Sequence, residues 1–150
     1  MKTQWSNHQL LVRVDQGEEL KEVVRKVCQT ENIAGATFNG LGGFGEVQVG
    51  VYNPQTQDYD APVRQGMYEM VSLMGNVSLD HGDLFVHAHA AFGYLDHGEM
   101  KVVGGDLRKA VVNYTAELVL TPTEHAITRQ YDEATEIDIW DLQDQVNWKN

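Results

Sequence analysis

Residues 83–107 read DLFVHAHAAFGYLDHGEMKVVGGDL and contain two runs in which apolar and polar side chains alternate. Alternation with a period of two is typical of β-strands that bury one face. The residues between the runs, Asp96-His97-Gly98-Glu99, have the composition of a two-residue hairpin loop with its flanking pair. We therefore predict an antiparallel hairpin here, with strands at about 83–95 and 100–107.

Strand-like runs continue on both sides of this hairpin. They lie at about 9–14, 33–41, 46–52, 59–61, 65–75, 110–120 and 126–131, and 137–142 fits either a last strand or a short helix. Gly40, Gly42, Gly43 and Gly45 predict a tight bend or a β-bulge between two of the runs. A phosphate-binding loop is not predicted here, because no helix pattern follows the glycines and the Lys-Ser/Thr pair of such a loop is missing.

A clear helical period occurs in one place, at about Gly17–Glu31, where four apolar residues recur at helical spacing. Asp15 is predicted to be the N-cap, and Glu18 follows three residues later as in a capping box. One helix among many strands predicts an α+β fold. We expect a single antiparallel-rich β-sheet with the main helix, about 17–31, packed on one face.

The composition fits one globular domain. Of the 150 residues, 42% are hydrophobic and 22% are charged, and no internal repeat or linker interrupts the chain. We predict a single domain over 1–150, with its core at about 10–142 and an acidic C-terminal segment at 132–150. That segment fits a solvated face or a partner-binding strip. The single cysteine, Cys28, falls on the apolar helix face and is predicted to be buried and structural.

The formal net charge of −11 bears on the partners of the protein. Nucleic-acid binding relies on Lys and Arg side chains that displace counterions, so direct binding to DNA or RNA is not expected. No run of eighteen apolar residues is present, and Met1–His8 lacks the apolar core of a signal peptide. We therefore predict a cytoplasmic protein with no membrane partner.

The best candidate site is the histidine pair in Phe85-Val86-His87-Ala88-His89. Because side chains alternate along a strand, His87 and His89 share a face and stand roughly 7 Å apart. A His-x-His pair on one strand recurs in metal sites. The other face of this strand carries apolar residues that suit a core.

The hairpin loop adds a third residue to this site. If His97-Gly98 is a two-residue loop, the numbers of paired residues sum to 195, so His89 faces Asp106 and His87 faces Arg108. Directly opposed residues share a face, which places Asp106 beside His89 and diagonal to His87. Gly104-Gly105 offers a place for a bulge that shifts this register, and would leave open space above the site.

Two imidazoles and one carboxylate on one surface suit Zn²⁺, Fe²⁺ or Mn²⁺, and Zn²⁺ is the ion that we expect first. The alternative is a polar pocket or an interface in which Asp106 accepts a hydrogen bond from one imidazole. The sequence leaves both open.

Charged residues elsewhere in the strands extend these alternatives. Glu69 and Glu117 lie inside otherwise apolar runs, so we predict that both are buried and need partners. Arg13, Arg108 and Arg129 are available for buried ion pairs. Alternatively, Glu69, Glu117, Arg108 and Arg129 belong to a polar pocket around the histidines.

An ordered set of short blocks resembles the PPC domain family, named as the plants and prokaryotes conserved domain. The blocks are GEEL (17–20), IAGA (33–36), YEMVSLMGNV (68–77), FVHAH (85–89), VGGDL (103–107), AEL (116–118) and RQYD (129–132). They are similar to the helix opening, the second strand, the E-[IL]-[LV]-S-L-x-G-x-[IV] block, the H-x-H strand, the G-G-H-L motif and the A-E-[VL] and R-x-x-D positions of the family. The similarity runs from about Leu11 to Leu142.

The resemblance implies a compact domain with an antiparallel-rich sheet that assembles as a homotrimer. Plant members are fused to AT-hook segments that grip the DNA minor groove. Bacterial and archaeal members are usually free-standing, are often labelled DNA-binding, and in some cases carry metal at three histidines. In this chain Asp106 stands where the family has the histidine of G-G-H-L, and the Arg-Gly-Arg-Pro AT-hook is missing.

Three hypotheses for function follow. The first is a free-standing, bacterial-type PPC homotrimer that binds a divalent metal or a small polar ligand at His87, His89 and Asp106. The second is a metal-dependent enzyme of unknown substrate, with Glu69 or Glu117 as general base. The third, suggested by the family label alone, is a DNA-binding or transcription-associated protein. The sequence favours binding over catalysis, because nothing in it indicates a substrate.

Overall fold

A computed structural model describes residues 1–142 of the chain. Its elements in chain order are β1 (Lys2–Ser6), β2 (Gln9–Val14), α1 (Leu20–Glu31), β3 (Ala36–Asn53), β4 (Asp58–Asp60), β5 (Val63–Asp80), β6 (Asp83–Asp96), β7 (Glu99–Pro122), β8 (Arg129–Asp132) and β9 (Ile137–Trp140). Seven strands form one sheet in the order β1-β2-β7-β6-β5-β3-β4, and β8 pairs with β9. All of these ladders are antiparallel. The predicted α+β class and antiparallel-rich sheet are therefore confirmed.

Three strands are longer than the sequence runs predict: β5 has 18 residues, and two others each join two predicted runs. β7 is one strand of 24 residues where the sequence predicts two, and β3 is one strand of 18 residues that passes through glycines 40–45 without a turn. The register of β3 against β5 shifts between Asn39 and Gly42 and again between Phe44 and Glu46. The glycine-rich stretch is therefore a bulged strand, so the β-bulge alternative of the prediction is confirmed and the tight bend does not form.

The helix begins later than predicted. It starts at Leu20, and Glu19 is the N-cap, whose carboxylate accepts a hydrogen bond from the backbone N–H of Glu22 at 2.8 Å. Gly17 has a φ of +83°, which no helical residue adopts, and it hydrogen-bonds to β7. This pairing with the sheet overrides the local capping signal at Asp15.

The core lies where α1 packs against β6 and β7. The buried helix residues include Cys28, as predicted, and burial raises the pKa of its thiol to about 11. Along β6, Val86, Ala88, Ala90 and Phe92 are buried in this core. The residues that alternate with them, His87 and His89 included, therefore lie on the opposite face of the strand.

The ends of the chain differ in how well the sequence predicted them. The polar N-terminal residues form β1, an edge strand that the sequence pattern did not predict. The last predicted element is a strand, β9, and residues 133–137 and 139–142 of the acidic segment are exposed. Residues 143–150 of that segment lie outside the described residues. Within residues 1–142, no helix is long and apolar enough to cross a membrane.

β7 changes its neighbour at Asp106, and this places the candidate site. Asp106 pairs with His89 of β6 at the end of one ladder and with Gly50 of β3 at the end of another. Gly105 has a φ of +150°, and a Cβ there would lie 2.2 Å from the backbone oxygen of Gly50. The glycine allows β3 to approach closely at this point, and the open space above the site stays a prediction.

Candidate metal centre

The hairpin that carries the site has the predicted register. β6 and β7 pair without a shift from Asp96↔Glu99 to His89↔Asp106, so the pairing of His89 with Asp106 is confirmed. The predicted bulge at Gly104-Gly105 does not shift this ladder. The predicted pairing of His87 with Arg108 does not form, because β7 leaves β6 after Asp106 and follows β3.

His87, His89 and Asp106 come together as a compact group. One ligand atom from each side chain lies within 4.8 Å of the other two. His87 Nε2 is 3.5 Å from Asp106 Oδ2, and the two imidazole ring centroids are 5.2 Å apart at an interplanar angle of 74°. The rings therefore turn toward each other from the roughly 7 Å spacing of side chains along a strand. Asp106 is buried, His87 is half-buried and His89 is exposed.

The donor set fits a zinc ion. Ligand atoms about 2.0–2.1 Å from a tetrahedral zinc are separated by roughly 3.3 Å, close to the distance between His87 and Asp106. His89 is exposed and offers a ligand atom within 4.8 Å of the other two. The site would provide three protein ligands and leave one position open, as in catalytic and ligand-binding zinc sites.

Positive charges hold Asp106 in its ionised form. Burial alone raises the pKa of this carboxyl. The hydrogen bond with His87 and the charges of Lys21 and Arg108 outweigh burial, and the pKa of Asp106 is lowered below its ordinary value. Arg108 contacts Oδ1 at 3.4 Å, while its guanidinium lies 4.8 Å from the centre of the Tyr59 ring. One carboxylate oxygen is thus bound to arginine, and the other faces the histidines.

Lys21 is a neighbour that the sequence pattern did not indicate. Its ammonium group donates a hydrogen bond to the backbone oxygen of Leu107 at 3.0 Å, and burial lowers its pKa. Lys21 is the second residue of α1, and only the packing of the helix on the hairpin brings its side chain close to Asp106. The sequence pattern predicts the helix but not the part of the sheet against which Lys21 packs.

A groove of about 620 Å³ adjoins the histidines and is lined by Asn76 and Trp140 among others. Asn76 is paired with His87 across β5 and β6. Its Oδ1 atom is buried and accepts no hydrogen bond from residues 1–142. The pairing of Asn76 with His87 could have been predicted from the sequence. His81-Gly82 is a second two-residue loop, so the numbers of paired residues on β5 and β6 sum to 163.

Glu69 and Glu117 do not belong to the group. Both are exposed, so the prediction that they are buried is wrong. Glu69 pairs with Gly93, five residues along β5 from the residue that pairs with His89. Glu117 pairs with Arg13 and lines a different groove of about 760 Å³. Each lies on the exposed side of a strand whose alternate residues are buried, which explains the apolar sequence around it.

Arg129 is a structural residue near the edge of the groove. Its Nε donates to the buried Ser78 hydroxyl at 2.9 Å, and its Nη1 donates to the backbone oxygen of Asp138 at 2.7 Å. Its guanidinium also lies 4.6 Å from the centre of the Phe85 ring. Arg129 thus ties β8 and β9 to the main sheet and reaches the histidines only through Phe85.

Solved structures share this fold. A plant- and prokaryote-conserved (PPC) protein from Pyrococcus horikoshii is 31% identical, with a TM-score of 0.79 over 95% of this chain and 96% of its own. A metal-containing protein from Archaeoglobus fulgidus is 27% identical, with a TM-score of 0.78 over 93% and 96%. A protein from Bacteroides thetaiotaomicron, named as a candidate DNA-binding protein, is 24% identical, with a TM-score of 0.85 over 93% and 96%.

The family comparison covers most of the chain. No curated protein sequence matches it. The model of the Plants and Prokaryotes Conserved (PCC) domain, the family called PPC above, matches residues 1–124. The match includes α1 and the whole β6–β7 hairpin, and it ends before β8 and β9. This chain belongs to the Plants and Prokaryotes Conserved domain family.

Proposed function

We propose that this chain is a cytoplasmic, single-domain binding module that holds a divalent metal ion, zinc first, at His87, His89 and Asp106. The observation that carries the proposal is the convergence of three ligand atoms within 4.8 Å on two paired strands. The metal-containing relative from Archaeoglobus fulgidus supports it, because it shares the fold over nearly the whole chain.

The carboxylate is prepared to act as a ligand. Asp106 is ionised at neutral pH as an ordinary aspartate is, and its lowered pKa extends this toward more acidic pH, so the metal need not displace a proton from it. Arg108 fixes one of its oxygens and so orients the other toward the histidines. Zinc bound here would supply a Lewis acid with one open position.

The neighbouring groove favours a small, polar ligand at that open position of the metal. Asn76 Oδ1 is buried beside His87 and has no donor within residues 1–142. Burying such an acceptor costs about 1–3 kcal/mol unless a donor reaches it. A ligand that carries an O–H or N–H group, or an ordered water, supplies the donor.

Zinc analysis of the purified protein tests the proposal. After zinc loading and removal of excess metal, we expect at least one zinc ion per chain and an increase in the melting temperature. The His87→Ala/His89→Ala protein is expected to hold one zinc ion fewer. Equal zinc contents in the two proteins would refute the assignment.

We further propose that the chain forms a homotrimer through the face that carries the histidines. Four apolar residues on this face are 60–73% exposed: Met74, Leu95, Met100 and Val102. Met74 lies directly opposite His89. A surface of this kind marks a contact with another molecule, and a further copy of the chain fits it, as the family resemblance implies.

Sedimentation equilibrium is expected to give three times the chain mass of 16.9 kDa, whereas a mass of one chain would contradict the trimer.

The other two hypotheses have less support from the described residues. The enzyme hypothesis takes Glu69 or Glu117 as general base, and neither of them lies in the group. Direct DNA binding is opposed by the net charge of −11.

A further inference from the structure

A second group of possible metal ligands lies at the opposite end of β6 from the β6–β7 loop. Asp80 and His81 form the tip of the β5–β6 hairpin, and Asp138 comes from β9. One ligand atom from each lies within 4.8 Å of the other two. His81 is six residues from His87, roughly 20 Å along an extended strand, so the two groups are distinct.

One oxygen of each half-buried carboxylate in this group lacks a hydrogen-bond partner within the described residues. Asp80 Oδ1 and Asp138 Oδ1 are each buried, and neither accepts a hydrogen bond from residues 1–142. His81 Nε2 is 3.8 Å from Asp80 Oδ1, which is too far for a hydrogen bond. Carboxylate oxygens that lie close together without a donor repel each other, and no hydrogen bond replaces the water that each buried oxygen has lost.

The Arg129 side chain is already engaged with other groups. Arg129 comes close to Asp138, but its Nη1 donates to the backbone oxygen of that residue, and its Nε donates to Ser78. The guanidinium also lies against the Phe85 ring. The described structure gives neither carboxylate a salt bridge to Arg or Lys. A divalent cation between the two oxygens and the exposed imidazole would satisfy all three groups at once.

We propose that Asp80, His81 and Asp138 form a second divalent-metal site, of the zinc type. Imidazole nitrogen and carboxylate oxygen are both zinc ligands, and three of them leave a fourth position for water. The hairpin tip is suited to presenting the imidazole, because His81 has a φ of +48° in a two-residue loop and its side chain is 81% exposed.

This site would connect two separate sheets. Asp80 is the last residue of β5 in the main sheet, and His81 lies in the loop that follows it. Asp138 belongs to the β8–β9 pair, which lies beyond the family match at residues 1–124. The same junction is held by Arg129 with Ser78 and by the backbone N–H of Leu79, which donates to Ile127 at 2.7 Å. A metal ion here would fix β9, whose Trp140 lines the groove beside the histidines.

The test uses the His87→Ala/His89→Ala protein, which lacks the first site. Zinc is titrated into it by calorimetry, and one zinc ion per chain is expected to bind. Adding Asp138→Asn, which keeps the size of the side chain and removes its charge, is expected to weaken this binding at least about tenfold. Asp141→Asn, an exposed acidic residue on the same segment, is expected to leave it unchanged.

A second pair of variants controls for folding of the hairpin tip. His81→Asn suits the left-handed backbone conformation, because asparagine tolerates it well, and removes the imidazole. His97→Asn makes the same change at the matching position of the β6–β7 loop, where φ is +50° and Asp96 lies 3.6 Å away. We expect His81→Asn to weaken zinc binding at least about tenfold and His97→Asn to leave it unchanged.

The outcomes separate this proposal from the first site. If the His87→Ala/His89→Ala protein binds no zinc, the second site is wrong, whatever the native protein binds. If His97→Asn or Asp141→Asn weakens binding as much as its counterpart, the zinc is held by surface charge and the proposal is also wrong. If the variant at the first site binds one zinc that depends on His81 and Asp138, the second site stands even when the first fails.

Discussion

Replacing His87 and His89 together with alanine is expected to weaken zinc binding at their site by at least about a hundredfold. Loss of a residue that merely supports a ligand typically costs 10–100-fold in metal affinity, and this variant loses two of three direct ligands. Asp106 would remain with Arg108 at 3.4 Å and with the charge of Lys21, so it keeps its charge partners. Competition against a chelator of known zinc affinity measures the change.

The loss should be confined to metal binding. His87 is half-buried and His89 is exposed, and both lie on the face of β6 away from the core. The unfolding free energy of the metal-free protein is therefore expected to change by no more than about 1 kcal/mol. His97→Ala is the control, since His97 is exposed at the hairpin tip. Unchanged zinc affinity in the double variant would show that the histidines are not ligands.

Replacing Phe92 with alanine is expected to lower the free energy of unfolding by about 3–5 kcal/mol. The ring is fully buried, and it meets Phe44 edge to face with centroids 5.4 Å apart and an interplanar angle of 81°. Truncation removes buried apolar surface, leaves a cavity between β3 and β6, and ends the aromatic contact. Denaturant unfolding followed by circular dichroism measures the loss.

Leu41→Ala is the control for this change. Leu41 lies on β3, three residues from the Phe44 ring that Phe92 contacts, but it is 60% exposed and lies outside the proposed trimer face. Its replacement is expected to alter the free energy of unfolding by no more than about 0.5 kcal/mol in either direction. A cost below about 1.5 kcal/mol for Phe92→Ala would contradict the core described here.

The hairpin at the centre of the site could be predicted from the sequence because its register depends on local chemistry. A two-residue loop at His97-Gly98 fixes the pairing of every residue that follows on both strands. That rule gave the pairing of His89 with Asp106, which the structure confirms. The same rule failed for His87 and Arg108, because β7 turns to β3 at a point that only tertiary contacts determine.

The long strands could not be predicted for a related reason. Glycine is a poor strand former, so glycines 40–45 interrupt the alternating pattern and indicate a bend. In the folded protein β3 lies between β5 and β7, and its glycines permit close backbone contact that larger residues would prevent. The distinction between a bend and a bulge depends on neighbours that are distant in the sequence.

The errors at Glu69 and Glu117 have a different origin. Both were predicted to be buried because apolar residues surround them in the sequence. Apolar side chains also cover much of the exposed face of this sheet, including Met74 and Val102, so the local pattern did not distinguish its two sides. If that face contacts another copy of the chain, its exposed apolar residues explain both the wrong burial predicted for the two glutamates and the assembly of the chains.

A crystal structure of the zinc-loaded protein, with anomalous scattering recorded on both sides of the zinc absorption edge, tests the central claim most directly. We expect an anomalous peak about 2.0–2.2 Å from His87, His89 and Asp106 together. No peak beside the two histidines, whether or not a peak appears at Asp80, His81 and Asp138, would contradict the assignment of a metal site to this hairpin.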